Sequence, residues 1–376
     1  MKVLIAGGGT AGHINPALAI AGVIREHHPD AEILFVGRGG SMEAKLVPAA
    51  GYNITTMDIS GFQRQLSFEN LKRNIRAVKY LLTSGAKTSK IIDDFKPDIA
   101  IGTGGYVSGP ILRKAASRGI PTVIHEQNAF PGVTTKLLSK KAKCVMLAVE
   151  DTKKYLGEKV HFEVTGNPLR TDILKYDRTI ARRELGIAED EQLVVSFGGS
   201  LGARAVNEAV IDFVIKNART KMCRHIHAYG QFGKWLPEEI EKRGNRHLSD
   251  CPHIEIKEYI NDMPRVMAAA DLVICRSGAI TLSELQARGK AAILIPSPNV
   301  AENHQYHNAM ALVRRNAAEI IEEKDLNGAD LLKKVEIMLN DREKLSLIGK
   351  NCKKMAILDA NERIYRIIDK VLKNSR

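Results

Sequence analysis

Short apolar runs alternate with longer stretches that are apolar at helical spacing along almost the whole chain. In the first half, runs at 2–6, 31–36, 98–101, 121–124, 143–147 and 161–164 predict strands. Between them, 15–27, 41–50, 69–94, 108–118 and 132–140 predict helices. The pattern restarts after Gly166-Asn167-Pro168-Leu169-Arg170. A helix near 178–185 comes first, and strands follow at 193–197, 224–229, 253–257, 271–275, 291–295 and 318–321. Further helices are expected at 203–217, 233–243, 262–269, 280–287, 303–315, 328–339, 342–349 and 360–373. Near-continuous apolar strands joined by amphipathic helices imply parallel sheets covered on both faces. The chain therefore reads as two Rossmann-like α/β domains in tandem. Ligands of such sheets bind beyond the carboxyl ends of the strands.

Three glycine loops lie at those ends. Gly7, Gly9 and Gly12 satisfy G-x-G-x-x-G between the first strand and the first helix. Gly102-Thr103-Gly104-Gly105-Tyr106 follows Ile99-Ala100-Ile101, and Gly198-Gly199-Ser200-Leu201-Gly202-Ala203 follows Leu193-Val194-Val195-Ser196-Phe197. Strand, glycine turn and helix together suit phosphate, because the helix start presents unbonded N–H groups and the positive end of its dipole. A plain packing turn is the alternative for each. A dinucleotide site also wants an acidic residue at the end of the second strand. That strand instead ends in Gly37-Arg38, which leaves NADP as a rival and the second domain's loop unexplained.

The length of 376 residues gives ample material for two cores. A net charge of +13 favours an acidic partner: nucleic acid, a phosphorylated ligand or an anionic membrane. Five widely spaced cysteines without C-x-x-C indicate neither a disulfide framework nor a zinc site, and a reducing cytosol fits. A strand starts at residue 2, so no signal peptide is expected, and no apolar run reaches the ~18–20 residues of a spanning helix.

The stretch Asp271-Leu272-Val273-Ile274-Cys275-Arg276-Ser277-Gly278-Ala279-Ile280-Thr281-Leu282-Ser283-Glu284 says more. A strand ends at Cys275, the chain turns, and a helix begins near Ile280. Thr281 and the loop amides suit phosphate. Glu284, one turn into the helix, could accept from two ribose hydroxyls; a surface glutamate supporting the helix start is the plainer alternative.

R-S-G-A-x-T-x-S-E after a strand, G-G-S-x-G-A before it, G-G-G-T-A-G-H at the N-terminus and H-E-Q-N between them resemble the MurG family of GT-B glycosyltransferases along essentially the whole chain. The resemblance implies two Rossmann-like domains with parallel sheets facing a central cleft. Residues 1–165 would form an acceptor- and membrane-facing domain and 166–350 a UDP-GlcNAc-binding domain, with 351–376 a terminal helix crossing back to the first. It further implies transfer of N-acetylglucosamine from UDP-GlcNAc to undecaprenyl-linked lipid I, giving lipid II. No cofactor, metal or nucleic acid is called for. Another UDP-sugar GT-B enzyme, a glycolipid transferase or sugar epimerase, is the alternative.

Residue by residue, the family pattern makes His13 a candidate base for the muramoyl 4-hydroxyl, with Thr10, Ala11 and Gly12 beside the acceptor's pyrophosphate. A neutral imidazole can take that proton near pH 7. Glu126 is the weaker candidate base, and loop scaffolding is the preferred role for both it and His125. Asn128 matches a donor-sugar contact, Arg170 and Ser200 match diphosphate or nucleotide contacts, and Ile260 matches a backbone contact to uracil. Ala279, Ile280, Thr281, Leu282, Ser283 and Glu284 match the phosphate and ribose loop, and Gln305 a sugar-hydroxyl or diphosphate contact. His304 and His307, histidines at i,i+3, are weak evidence for a metal site. The implied reaction is a single in-line displacement with inversion, needing one base and no carboxylate nucleophile.

Between Phe62 and Lys96 lie eight basic and three acidic residues, with Leu71, Ile75, Val78 and Leu82 as an apolar stripe. Lys136, Lys140, Lys141 and Lys143 follow. A lipid-linked acceptor makes docking on an anionic inner membrane surface an expectation, placing the protein peripherally on the cytoplasmic face of the cell membrane.

Overall fold

The computed structural model describes residues 1–57, 85–170 and 172–375. The chain forms two compact units, one of 1–169 with 357–376 and one of 170–356.

Unit 1 contains β1 (Lys2–Gly7), α1 (Ala11–His27), β2 (Glu32–Arg38), α2 (Glu43–Ala49), β3 (Asn53–Met57), α3 (85–95) and β4 (Ile99–Gly104). It continues with α4 (Ser108–Ser117), β5 (Thr122–Glu126), α5 (Val133–Leu138), β6 (Cys144–Leu147) and β7 (Phe162–Val164). The sheet is parallel throughout, in the order β3-β2-β1-β4-β5-β6-β7. The strand order changes direction at β1, which has β2 on one side and β4 on the other, so the loops after β1 and β4 adjoin at the switch point where such sheets bind ligands.

Unit 2 contains α6 (Arg178–Glu184), β8 (Leu193–Phe197), α7 (Arg204–Thr220), β9 (Arg224–Ala228), α8 (Leu236–Gly244), β10 (Ile254–Lys257) and α9 (Met263–Ala269). Then come β11 (Leu272–Cys275), α10 (Ala279–Arg288), β12 (Ala291–Leu294), α11 (His304–Val313), β13 (Glu319–Ile320), α12 (Gly328–Asn340) and α13 (Arg342–Lys354). Its parallel sheet runs β10-β9-β8-β11-β12-β13, with the switch between β8 and β11.

The last helix, α14 (Ala360–Lys373), belongs to unit 1. Ile364, Ile367, Ile368 and Leu372 are buried with Val3, Ile5, Ile20 and Ile24 in one core. Each such side chain contributes roughly 1.5–3 kcal/mol. Gly166 takes φ +79°, and a Cβ there would lie 2.9 Å from the Ile357 Cβ and 3.2 Å from that of Ala360. Glycine is thus required where β7's exit passes under the returning chain.

Two details depart from the sequence pattern. β3, whose middle is Ile54-Thr55-Thr56, is an edge strand with little apolar signal. α1 starts at Ala11 rather than residue 15, because Thr10 is extended and its carbonyl accepts from the His13 and Ile14 amides at 3.0 and 3.1 Å. Pro16 therefore lies inside the helix. Of the basic stretch, only 85–96 is described; the apolar stripe Leu71, Ile75, Val78 and Leu82 lies outside the described residues.

Candidate active site

In unit 1 the loops after β1, β4 and β5 converge on His13. The first turn of α1 carries this half-buried side chain. Its Nδ1 lies 2.9 Å from the Thr103 carbonyl oxygen and 3.2 Å from the Gln127 Oε1. Both neighbours only accept, so Nδ1 carries a proton, and in the neutral form of the ring the lone pair is on Nε2. Thr103 Oγ1 donates to the His13 carbonyl at 2.9 Å and braces the same turn. The ring sits where a side chain on Gly104 would be, since a Cβ there would meet His13 Nδ1 at 2.6 Å, and Gly104 has φ +106°.

Glu126 is held by hydrogen bonds on both carboxylate oxygens. It is buried, its Oε1 accepts from the Asn128 backbone N–H (3.1 Å) and Nδ2 (3.2 Å), and its Oε2 accepts from the Gly132 N–H (3.1 Å) and the Thr135 hydroxyl (2.5 Å). Four donors use up the carboxylate, which shapes the loop that presents Asn128. Burial lowers the pKa of His125, so it is neutral; its Nε2 donates to the Gly166 carbonyl at 3.0 Å.

The opening glycine loop is less open to phosphate than its sequence suggests. Glu43, buried at the start of α2, accepts from the Gly9 N–H at 3.1 Å and the Arg38 N–H at 3.0 Å. Burial raises its pKa, but the Arg38 and Gly9 amides outweigh that and hold it below the usual carboxylate range. A fixed anion therefore takes the loop amide that a dinucleotide phosphate would use, and it sits beneath Arg38 where NADP would need help. Thr10 provides no side-chain cap at the start of α1, where Ala11 and Gly12 lie. Sequence reasoning missed Glu43. The signal was a glutamate opening a helix just past Gly39-Gly40-Ser41.

In unit 2 the loop after β8 carries Ser200 at an exposed tip, ahead of α7, whose N-cap Ala203 offers no side-chain bond. The loop after β11 leads into α10, whose N-cap Gly278 likewise leaves the helix start without a side-chain cap. Ala279, Ile280 and Thr281 are half-buried at that start. Leu282 is 4% exposed and faces the core, so only its backbone can meet a ligand. Ser283 bonds back to the Ala279 carbonyl at 3.2 Å. Glu284, with 11% side-chain exposure, pairs with Arg170 Nε at 3.0 Å through Oε1. Burial pushes its pKa up despite the guanidinium. Gln305 Oε1 accepts from the Ser297 N–H at 2.9 Å, and its carbonyl accepts from the Ser277 hydroxyl at 2.8 Å. Its Nε2 is thereby aimed as a donor. The Ile260 side chain is buried, anchoring its loop.

Unit 1 thus brings together Thr10, Ala11, Gly12, His13 and the loop holding Asn128, and unit 2 pairs Arg170 with Glu284. Ser277, on the loop entering α10, bonds the backbone of Gln305. Among the described residues, one grouping could hold a metal, Cys144, His161 and Glu163, and it includes none of these candidates.

Two parallel-sheet Rossmann units with glycine loops at their strand ends are the architecture of the GT-B class of glycosyltransferases. Residues 3–147 match the glycosyltransferase family 28 N-terminal domain and 193–364 its C-terminal domain. A relative from Acetivibrio thermocellus, named UDP-N-acetylglucosamine--N-acetylmuramyl-(pentapeptide) pyrophosphoryl-undecaprenol N-acetylglucosamine transferase, is 48% identical over 374 residues, covering 100% of this chain and 99% of its own. The crystal structure of Acinetobacter baumannii MurG superposes with a TM-score of 0.78 at 27% identity, over 98% of this chain and 99% of that one. The chain belongs to the MurG family. A putative UDP-N-acetylglucosamine 2-epimerase from Listeria monocytogenes shares the fold alone, at TM-score 0.69 and 14% identity over 100% of this chain and 97% of that one. The epimerase alternative is not favoured.

Proposed function

We infer that the protein transfers N-acetylglucosamine from UDP-GlcNAc to lipid I, forming lipid II. Membership of the family supplies the substrates, and one observation carries the donor half of the chemistry: Glu284 is a buried carboxylate with a single guanidinium partner, one turn into an uncapped helix. Ribose hydroxyls donating to Glu284 exchange with Arg170, and the released guanidinium turns to diphosphate oxygens, for which its fork is suited. The starts of α7 and α10 stabilise charge developing on the leaving UDP, and Ser200, Thr281 and the Gln305 amide complete the donor contacts. Asn128 meets the transferred sugar, and the Ile260 backbone meets uracil.

On unit 1, His13 Nε2 takes the proton of the muramoyl 4-hydroxyl while its oxygen bonds the anomeric carbon. The C–O bond to the diphosphate breaks and UDP leaves with the electron pair, so configuration inverts. Thr10 and the Ala11 and Gly12 amides meet the acceptor's pyrophosphate. Catalysis accordingly needs residues of both units.

The protein works peripherally on the cytoplasmic membrane face. Supporting this are exposed Val133 and Leu137 on α5 beside Lys136, Lys140, Lys141 and Lys143. No helix among the described residues is long and apolar enough to cross a membrane. Binding to acidic-lipid vesicles should weaken as salt rises; salt-independent binding would remove this electrostatic mode. The activity is tested by UDP release from UDP-GlcNAc with a short-chain lipid I analogue. UDP release without disaccharide product, or UDP-GlcNAc epimerised instead, would overturn the assignment.

A further inference from the structure

The site's hydrogen bonds continue behind His13 in a single direction. His13 Nδ1–H donates to Gln127 Oε1 at 3.2 Å, besides the Thr103 carbonyl. Gln127 Nε2 donates to His125 Nδ1 at 3.0 Å and to the His125 carbonyl at 2.8 Å. His125 Nε2 donates to the Gly166 carbonyl at 3.0 Å. Gln127 and His125 are buried. Each link fixes the next. The Gly166 carbonyl accepts only, so His125 must donate from Nε2 and accept at Nδ1. That acceptor demands the amide nitrogen of Gln127, which turns Oε1 toward His13. Chains of this polarity strengthen one another in a dry interior.

We propose that Gln127, oriented by His125 and the Gly166 carbonyl, is a positioning residue for the transfer reaction: it holds the His13 ring with Nδ1 protonated and Nε2 bare, and steadies the imidazolium formed when the acceptor hydroxyl gives up its proton. This rests on His13 being the base. The proton passes from the hydroxyl to Nε2 and stops there. Nδ1–H stays on His13 throughout, now as a charge-assisted donor to two oxygens. His125 is neutral and fully enclosed, so it does not compete for the proton. Gln127 touches neither substrate nor reacting atoms, and its effect runs wholly through His13.

A double-mutant cycle with a spectroscopic readout tests this. Gln127→Met should lower kcat about tenfold, the scale of one lost bond to a charged group, with KM for UDP-GlcNAc unchanged. In a His13→Ala background the same substitution should cost nothing further. An equal loss in both backgrounds would mean Gln127 acts through the fold, and the proposal would fall. If His13→Ala alone turns over like the wild type, the base reading falls first and takes this one with it. Should Gln127→Met not fold, 15N spectra of histidine-labelled wild-type protein still decide. The His13 signal, assigned by its loss in His13→Ala, should report the Nδ1–H tautomer; an Nε2–H tautomer would overturn the relay.

Discussion

Unit 1 buries Glu43 and Glu126, and unit 2 buries Glu284, but the three carboxylates are treated differently. Backbone amides grip Glu43, and four donors saturate Glu126. Glu284 has one guanidinium, a rim-exposed one, and a pKa raised by burial. A buried carboxylate whose donors are all built in is a structural tie. One left short of donors is unfinished until something brings them. Unit 1 thus has its carboxylates fully tied and His13 held by built-in acceptors, whereas unit 2 keeps a carboxylate with room for further donors.

His13→Ala should break the unit 1 side most severely, lowering kcat by about 10²–10⁴ with little change in UDP-GlcNAc KM. Steady-state kinetics that moved KM alone would reverse the assignment. Next, Glu284→Ala should raise donor KM by about 10²-fold, the scale of two hydrogen bonds to a charged acceptor, and leave thermal stability near wild type. Calorimetric titration with UDP would detect this directly. Glu126→Gln should instead cost about 1–3 kcal/mol of stability, because an amide cannot satisfy all four donors. If activity vanished while the melting temperature held, Glu126 would be the base after all. Arg170→Ala should weaken UDP several-fold and uridine hardly at all; equal losses for both would remove the diphosphate role.

The smallest effect near neutral pH concerns the sheet of unit 2. Ser196 Oγ lies 2.7 Å from both His225 Nε2 and His227 Nδ1, all fully buried. Burial drives both imidazoles down, His227 to about 3 and His225 well below its ordinary value. The unfolded chain takes these protons below about pH 6.5 while the folded one does not. Their stability contribution is therefore present above that value and lost as pH falls toward 3. His227→Leu should flatten the dependence of melting temperature on pH across this window, and an unchanged slope would contradict it.

Strand and helix periodicity made both sheets legible, because buried parallel strands are almost wholly apolar. β3 escaped, since an edge strand needs no apolar run, and the start of α1 was hidden by a proline read as the helix opening. Glu284 and His13 stood out as chemically apt residues beside glycine loops. Glu43 and Gln127 did not, because their roles depend on partners brought near only by the fold. Gln127 and His13 are 114 residues apart. Within His125-Glu126-Gln127-Asn128, Gln127 carries no sequence signal of its own, because its partner His13 lies in another loop.

The return of α14 to unit 1 has a consequence for synthesis. Gly166, where the relay behind His13 ends, is packed by Ile357 and Ala360, and the core of β1 is closed by Ile364, Ile367 and Ile368. A nascent chain that has emitted 169 residues still lacks the helix that closes that core. Unit 1 is therefore the first translated and the last finished. A chain released before Ala360 lacks the apolar helix face that covers this core and leaves that surface open to solvent or to another chain.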